Sequence, residues 1–298
     1  MSEERPPDIR AIDDPSRQTY RYVRAAIIGS VLLLFVSVTI QIIADGGAIL
    51  SSISAYYYGP VRGVFVGVLV ATGLALVAVK GRPGVEEISL NLAGMLAPVV
   101  AFVPTPLPAV DGSCRVGAQR CIAAEFLPGV ENNMAALILI GAPLLVLAWW
   151  TAIRIIDFNR SVRLSLSGAT AVWIGFAIWF FFGPRGAFLE AAHYVAAGLM
   201  FTLIVVVVGY NALRTDHALT VGETSVPCRH IYRVIGVLMA LSLVSALVFH
   251  WVTRAALDRP FPLLFVLEAI LLLLFMAFWI VQTWEFWNAG LPAEAKGQ

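Results

Sequence analysis

"AAIIGSVLLLFVSVTIQIIA", residues 25–44, is the stretch that decides the fold, because it contains no charged side chain. An α-helix rises 1.5 Å per residue, so a run of this length crosses a hydrocarbon layer of about 30 Å. Hydrocarbon offers no water to satisfy backbone amides, and a helix satisfies them internally. We therefore expect a transmembrane helix here.

The rest of the chain has the same character. Hydrophobic residues make up 59% of the 298 and charged residues only 13%, against about 25% charged in an ordinary soluble domain. We therefore expect an all-α integral membrane bundle of eight transmembrane helices. The predicted spans are Ala25 to Ala44, Gly63 to Val79, Ile88 to Val103, Met134 to Ile156, Leu164 to Phe182, Ala187 to Leu213, Val234 to Trp251 and Phe261 to Val281.

The two ends of the chain are polar. Residues 1–22 include "RPPDIRAIDDPSR", which cannot bury a core, and we expect a disordered cytoplasmic segment there, followed by one transmembrane domain over 23–288 and a short tail over 289–298. The first apolar run is too long for a signal-peptide core and lacks a small-residue cleavage site, so it is predicted to be a retained span. The sequence contains no Lys/Arg run, no glycine-rich phosphate loop and no zinc-finger spacing, so we expect no nucleic acid as a partner.

Arginine and lysine predict the orientation, since they accumulate in cytoplasmic loops. With both termini in the cytoplasm, fourteen of the twenty fall inside and six outside, which favours a multi-pass protein of the cell membrane in that orientation. The six outer residues are Arg62, Arg115, Arg120, Arg185, Arg254 and Arg259.

The cysteines agree with this orientation. "SCRVGAQRC" places Cys114 and Cys121 in the longest predicted outer loop, where an oxidising compartment permits a disulfide between them. Cys228 falls in an inner hinge and is expected to be inert.

Few ionisable side chains lie inside the spans, and each one is costly in hydrocarbon unless it faces the bundle interior. Glu190 and His193 are spaced i, i+3 in the sixth span, which places them on one helical face. His250 ends the seventh span, and Glu268 lies about 10 Å below the outer boundary in the eighth. The predicted inner third has a thinner polar set, consisting of Asn91, Asn211, Gln282 and Glu285.

A second polar feature is "SSISAYYYGPVRG", residues 51–63, between the first two spans. The segment either dips back among the helices, where Ser52, Ser54 and the Tyr57 hydroxyl would meet the buried ionisable groups, or lies at the membrane interface with its tyrosines as anchors. In both cases the serines and tyrosines belong to a polar cluster at the extracytoplasmic ends of the helices.

Besides ligand binding, three roles are open for this cluster. It could be a hydrogen-bonded or ion pair that only fixes helix packing. Glu190, His193 and His250 could instead hold a metal such as zinc in a lipid hydrolase, or the acid and imidazole could relay protons in a small-solute transporter. Whether the protein is an enzyme is left open. We expect a pocket at the outer leaflet that binds a lipid-like or small amphipathic ligand.

Two resemblances accompany these patterns. "SISAYYYGPVRGVFVGVL", "NLAG", "FVPTP" and "HYVAAGLMF" resemble a group of uncharacterised bacterial multi-pass membrane proteins that share a domain of unknown function, which implies a bacterial cytoplasmic membrane protein and no particular activity. A weaker likeness is to membrane hydrolases of the alkaline ceramidase and adiponectin-receptor kind, which combine a serine, an aspartate and three histidines around zinc. Ser54, Asp45, His193 and His250 match that pattern in part, while a third histidine and a His-x-x-x-His pair are missing.

Overall fold

The structure, a computed structural model, describes residues 15–108, 120–154, 158–214, 218–221, 224–253 and 262–286. Within these ranges the chain forms eight long α-helices, which confirms the helical class. They are α1 (Pro15–Ala44), α2 (Arg62–Ala78), α3 (Val85–Phe102), α4 (Leu127–Arg154), α5 (Arg160–Phe182), α6 (Arg185–Arg214), α7 (Cys228–Thr253) and α8 (Leu263–Glu285).

Seven of the described helices are long and apolar enough to cross a membrane. The exception is α2, an apolar helix of 17 residues that rises about 25 Å. Eight helices are therefore present, while eight complete spans stay a prediction. Two short antiparallel strand pairs lie in the connections, β1 (Leu107–Pro108) with β2 (Arg120–Cys121) and β3 (Ala218–Val221) with β4 (Thr224–Pro227).

The prediction that residues 1–22 are disordered is wrong for the last part of that range, because α1 begins at Pro15. The Tyr20 hydroxyl donates to the backbone carbonyl of Lys80, and Arg24 donates to the backbone carbonyl of Gln282. These two bonds attach the first turns of α1 to the bundle. Residues 1–14 and the predicted tail at 289–298 lie outside the described residues.

Six helices form a closed ring. Contacts run from α1 to α2, α2 to α3, α3 to α6, α6 to α7, α7 to α8 and from α8 back to α1. The remaining pair, α4 and α5, packs on the outside of this ring, mainly against α3. The ring therefore encloses an axis that is lined by side chains of six different helices.

The two ends of the ring differ in their polar residues. Successive helices run in opposite directions, so the start of α1 and the end of α8 meet at one end, where Arg24 contacts Gln282. We call this the Glu86 end, because Glu86 lies in the first turn of α3 beside these residues. The opposite end is called the His193 end.

A close helix crossing fixes one wall of the ring. Pro98 lacks the N–H that would bond to the carbonyl of Gly94 in α3, and that carbonyl oxygen points toward Gly73 of α2. A Cβ at Gly73 would lie 2.6 Å from the Gly94 oxygen, and a Cβ at Gly94 would lie 2.5 Å from the Gly73 oxygen. Only glycine at both positions permits this backbone approach, as in other close membrane helix pairs.

The connection between α1 and α2 enters the bundle. The left-handed glycines Gly46 and Gly47 turn the chain after α1, and Ser54–Tyr58 then forms a short 3₁₀ helix. Tyr56 and Tyr57 are each 1% exposed, so they are core residues and not interfacial anchors. Of the two alternatives for this segment, the structure supports the one in which it dips among the helices.

Candidate functional site

A cavity of about 130 Å³ lies inside the ring at the His193 end. Its wall combines residues from α1, α2, α3, α6, α7, α8 and the buried connection, and most of them are leucine, phenylalanine, alanine or another apolar type. Five lining residues carry polar side chains: Ser54, His193, Tyr194, His250 and Glu268. We refer to this space as the first cavity.

Glu268 anchors the buried connection to α8. Its Oε2 accepts the backbone N–H of Ile53 at 2.7 Å and that of Ser54 at 3.3 Å. The N–H of Phe265 in turn donates to the carbonyl of Ser51 at 3.1 Å. The carboxylate therefore satisfies two amides at the start of the 3₁₀ helix that no helix ladder would satisfy.

His193 is oriented by the end of α3. Its Nδ1 lies 2.7 Å from the carbonyl oxygen of Val103, which can only accept, so the hydrogen of the neutral ring is on Nδ1. The side chain is 4% exposed and lines the first cavity. In this tautomer Nε2 carries a lone pair and is a hydrogen-bond acceptor.

An aromatic pair forms another part of the wall. The rings of Tyr194 and His250 lie with centroids 3.9 Å apart and an interplanar angle of 35°. The Tyr194 hydroxyl lies 2.5 Å from Thr105 Oγ1, and the Thr105 carbonyl accepts the Tyr58 hydroxyl at 2.9 Å. These contacts join α6, α7 and the buried connection around one polar region.

The structure brings together four of the predicted site residues and separates three. Ser54, His193, His250 and Glu268 all line the first cavity. Glu190 does not, because it is exposed on α6, and the angle of about 60° between positions i and i+3 is enough to place it outside while His193 is buried.

The other two separated residues support the site from behind. Ser52 Oγ lies 3.1 Å from Ser54 Oγ and accepts the N–H of Ala55 at 3.1 Å. Tyr57 packs edge to face against Phe65, with ring centroids 6.3 Å apart, and the Arg62 guanidinium lies over the Tyr57 ring, 4.8 Å from its centroid. Both stabilise the buried connection without lining the cavity.

The described residues test neither the possible zinc site nor the predicted disulfide. Among the described residues there is no group of three or more His, Cys, Asp and Glu that is arranged to hold a metal, and zinc stays an alternative to the expected absence of a cofactor. Cys121 is disulfide-bonded, while Cys114 lies outside the described residues, so the pairing of these two cysteines also stays a prediction. Cys228 is buried at the start of α7.

A second cavity of about 40 Å³ lies nearer the centre of the ring. It shares five lining residues with the first cavity, so the two are neighbours along the ring axis. The shared residues are Leu34, Leu69, Met200, Phe201 and Leu272. Among the atoms of the described residues, only apolar ones face the second cavity.

A buried polar network occupies the Glu86 end. Glu86 is 3% exposed, and its Oε1 accepts the amide groups of Asn211 at 3.0 Å and Gln282 at 3.1 Å. Its Oε2 accepts the backbone N–H of Arg82 at 3.1 Å. Arg24, 2% exposed, donates to the Gln282 carbonyl at 3.0 Å, so the network joins α1, α3, α6 and α8.

The sequence-based prediction missed most of this network. It identified Asn211 and Gln282, but it started the third span at Ile88 and so left Glu86 in a loop. The missed signal is the buried stripe of α3, which contains Leu90, Ala93 and Ala97 at helical spacing. One turn toward the amino terminus, the same stripe reaches Glu86.

Comparison with protein-family models, curated proteins and solved structures found no match to this chain. The two sequence resemblances therefore stay predictions.

Proposed function

We propose that this membrane protein binds a small amphipathic or lipid-like ligand in the first cavity, and that the His193 end faces the extracytoplasmic side. The observation that carries the proposal is the lining of this cavity, in which two imidazoles, a carboxyl, a phenol and a hydroxyl interrupt an otherwise apolar wall. Sites for small ligands have this composition, with a few polar groups for orientation and apolar contacts for the rest.

The volume agrees with a small ligand. An apolar cavity of about 150 Å³ in a protein core accepts a molecule of the size of benzene, and the first cavity measures about 130 Å³. It is too small for a whole phospholipid. A short-chain amphiphile, or one end of a longer lipid, fits this volume.

A route from the bilayer supports the same class of ligand. Leu247 of α7 lines the first cavity and is also 45% exposed on the outside of the bundle. Its neighbour across the helix contact is Gly198 of α6, where a Cβ would lie 3.6 Å from Leu247 Cδ2. A change of leucine rotamer beside a glycine is a small opening movement, and it would connect the cavity with lipid.

The test is photolabelling of the purified protein in phosphatidylcholine nanodiscs with a diazirine analogue of 1-octanol. We expect labelled peptides from the cavity wall and competition by unlabelled octanol. Ala246→Phe, which fills the cavity from α7, should reduce labelling at least tenfold. Val244→Phe is the matched control on the same helix, because Val244 is 58% exposed to the lipid side. Equal labelling of the two variants would contradict the proposal.

A proton-coupled carrier is the second candidate. It is favoured by the axial arrangement, in which Glu268 near one end and the network of Glu86 at the other enclose an apolar section with the second cavity. Glu268 and Gln282 are separated by about 21 Å of α8, most of a hydrocarbon layer. Proton flux into proteoliposomes that is lost in Glu268→Gln would support a carrier, and flux no greater than in empty liposomes would dismiss it.

A further inference from the structure

The two cavities of the ring differ in polarity along a single axis. Five polar side chains, among them Glu268 and His193, line the first cavity. Ser30 and Thr72 are part of the wall of the second cavity, but only apolar atoms of the described residues face its interior. The second cavity lies toward the Glu86 end and is lined by residues such as Val68, Ile204 and Phe275. The combined space is therefore polar at one end and apolar at the other.

The wall between the cavities is made of side chains that can move. Met200 contributes to both cavities and is 6% exposed. Methionine is unbranched and changes rotamer at low cost, so it adapts to different shapes of a neighbouring group. Leu69 and Leu272, which also line both cavities, are the other flexible members of this wall. An alkyl chain can displace these side chains without opening the bundle.

The available length follows from the helix geometry. Glu268 of the first cavity and Phe275 of the second are seven residues apart on α8, which corresponds to about 10 Å along the axis. This is the length of an extended octyl chain. Beyond Phe275 the interior is closed by Trp279, which is fully buried.

We propose that the ligand is a single-chain amphiphile whose hydrogen-bonding head lies beside Glu268 and His193 and whose unbranched tail, up to about 10 Å long, extends past Met200 into the second cavity. This inference rests on the proposed function and adds the shape and orientation of the ligand. Because a bilayer solvates an alkyl tail as well as leucine does, added methylenes should not tighten binding at a fixed mole fraction in the lipid. The signature of the second cavity is instead a limit on chain length.

The experiment is displacement of the diazirine octanol by unlabelled alcohols from butanol to dodecanol, each at the same mole fraction in the nanodisc. For the unaltered protein we expect equal displacement up to a chain close to octanol, followed by a loss of at least tenfold for dodecanol. Ile204 lines only the second cavity and is 2% exposed. It permits two opposite substitutions at one position.

Ile204→Phe should shorten the longest effective alcohol by about two to three carbon atoms, because phenylalanine carries three more side-chain carbons than isoleucine. Ile204→Ala should lengthen it. The thermal unfolding midpoint of both variants checks that they are folded, and if one of them is not, the other still tests the inference.

The outcomes separate the two proposals. Labelling of the first cavity with no chain-length limit, or with a limit that neither Ile204 variant moves, would overturn the inference and leave the proposed function intact. Absence of cavity labelling by octanol, with no effect of Ala246→Phe, would overturn both.

Discussion

The carboxylate of Glu268 in α8 accepts the backbone N–H of Ile53 at 2.7 Å, across 215 positions of the sequence. This bond attaches the buried connection between α1 and α2 to the last helix and so completes one end of the ring. The same carboxyl group lines the first cavity. One side chain therefore both holds the buried connection and faces the first cavity.

Removal of this carboxylate should destabilise the protein. In Glu268→Ala the N–H groups of Ile53 and Ser54 lose their acceptor inside the bundle, which we expect to cost about 2 to 4 kcal/mol in the free energy of unfolding. Hydrogen exchange at residues 52–58 should accelerate, and the unfolding midpoint should fall. Glu190→Ala is the control, because Glu190 is exposed. A Glu268→Ala variant with unchanged exchange at these residues would contradict the role assigned to the carboxylate.

Alanine substitutions of two adjacent acidic residues at the other end of the ring should differ in how much stability they cost. Glu86→Ala leaves the amides of Asn211 and Gln282 without their acceptor and removes the negative charge near Arg24, so a loss of about 3 kcal/mol or more is expected. Glu87 forms an ion pair of 3.1 Å with Lys80, which is 67% exposed. Glu87→Ala should therefore cost about 0 to 1 kcal/mol. Unfolding in a denaturing detergent measures both variants, and equal losses would argue against the buried network.

The crossing of α2 and α3 gives a third prediction. Gly73→Ala and Gly94→Ala each place a methyl group against a backbone oxygen, at 2.6 and 2.5 Å, and should separate the two helices and lower the unfolding midpoint by several degrees. Gly67→Ala on α2 is the control, because nothing lies within 4 Å of its Cβ position. That substitution should be neutral or stabilising, since alanine is the better helix former. A midpoint for Gly73→Ala equal to that of Gly67→Ala would show that the crossing tolerates a side chain.

The orientation can be tested with single cysteines. Glu125 is exposed at the His193 end, and Val85 is 47% exposed at the Glu86 end. The bias of arginine and lysine predicts that the Glu86 end is cytoplasmic. A membrane-impermeant maleimide should therefore label Glu125→Cys in intact cells and Val85→Cys only after permeabilisation, with the unaltered protein as background. The reverse pattern would invert the proposed topology.

Local sequence determined much of the architecture. Long runs without charge specify helices in hydrocarbon, because no other open backbone conformation satisfies its hydrogen bonds there. The predicted first span, Ala25 to Ala44, lies within α1, and the same reasoning identified His193, His250 and Glu268 as interior candidates, all of which line the first cavity. These inferences depend only on the cost of placing a residue in lipid.

Tertiary structure alone decided the partners of these residues. The i, i+3 spacing could not separate Glu190 from His193, because residues at this spacing diverge enough for the helix contacts to bury one and expose the other. Glu86 and Arg24 fell outside the predicted spans, since their charge argues against a span until Asn211 and Gln282 are placed around them. The sequence by itself thus determined where the long helices lie and identified three interior residues, His193, His250 and Glu268. The closure of six helices into a ring determined which of those residues meet, because hydrogen bonds and close packing depend on contacts between positions far apart in the chain.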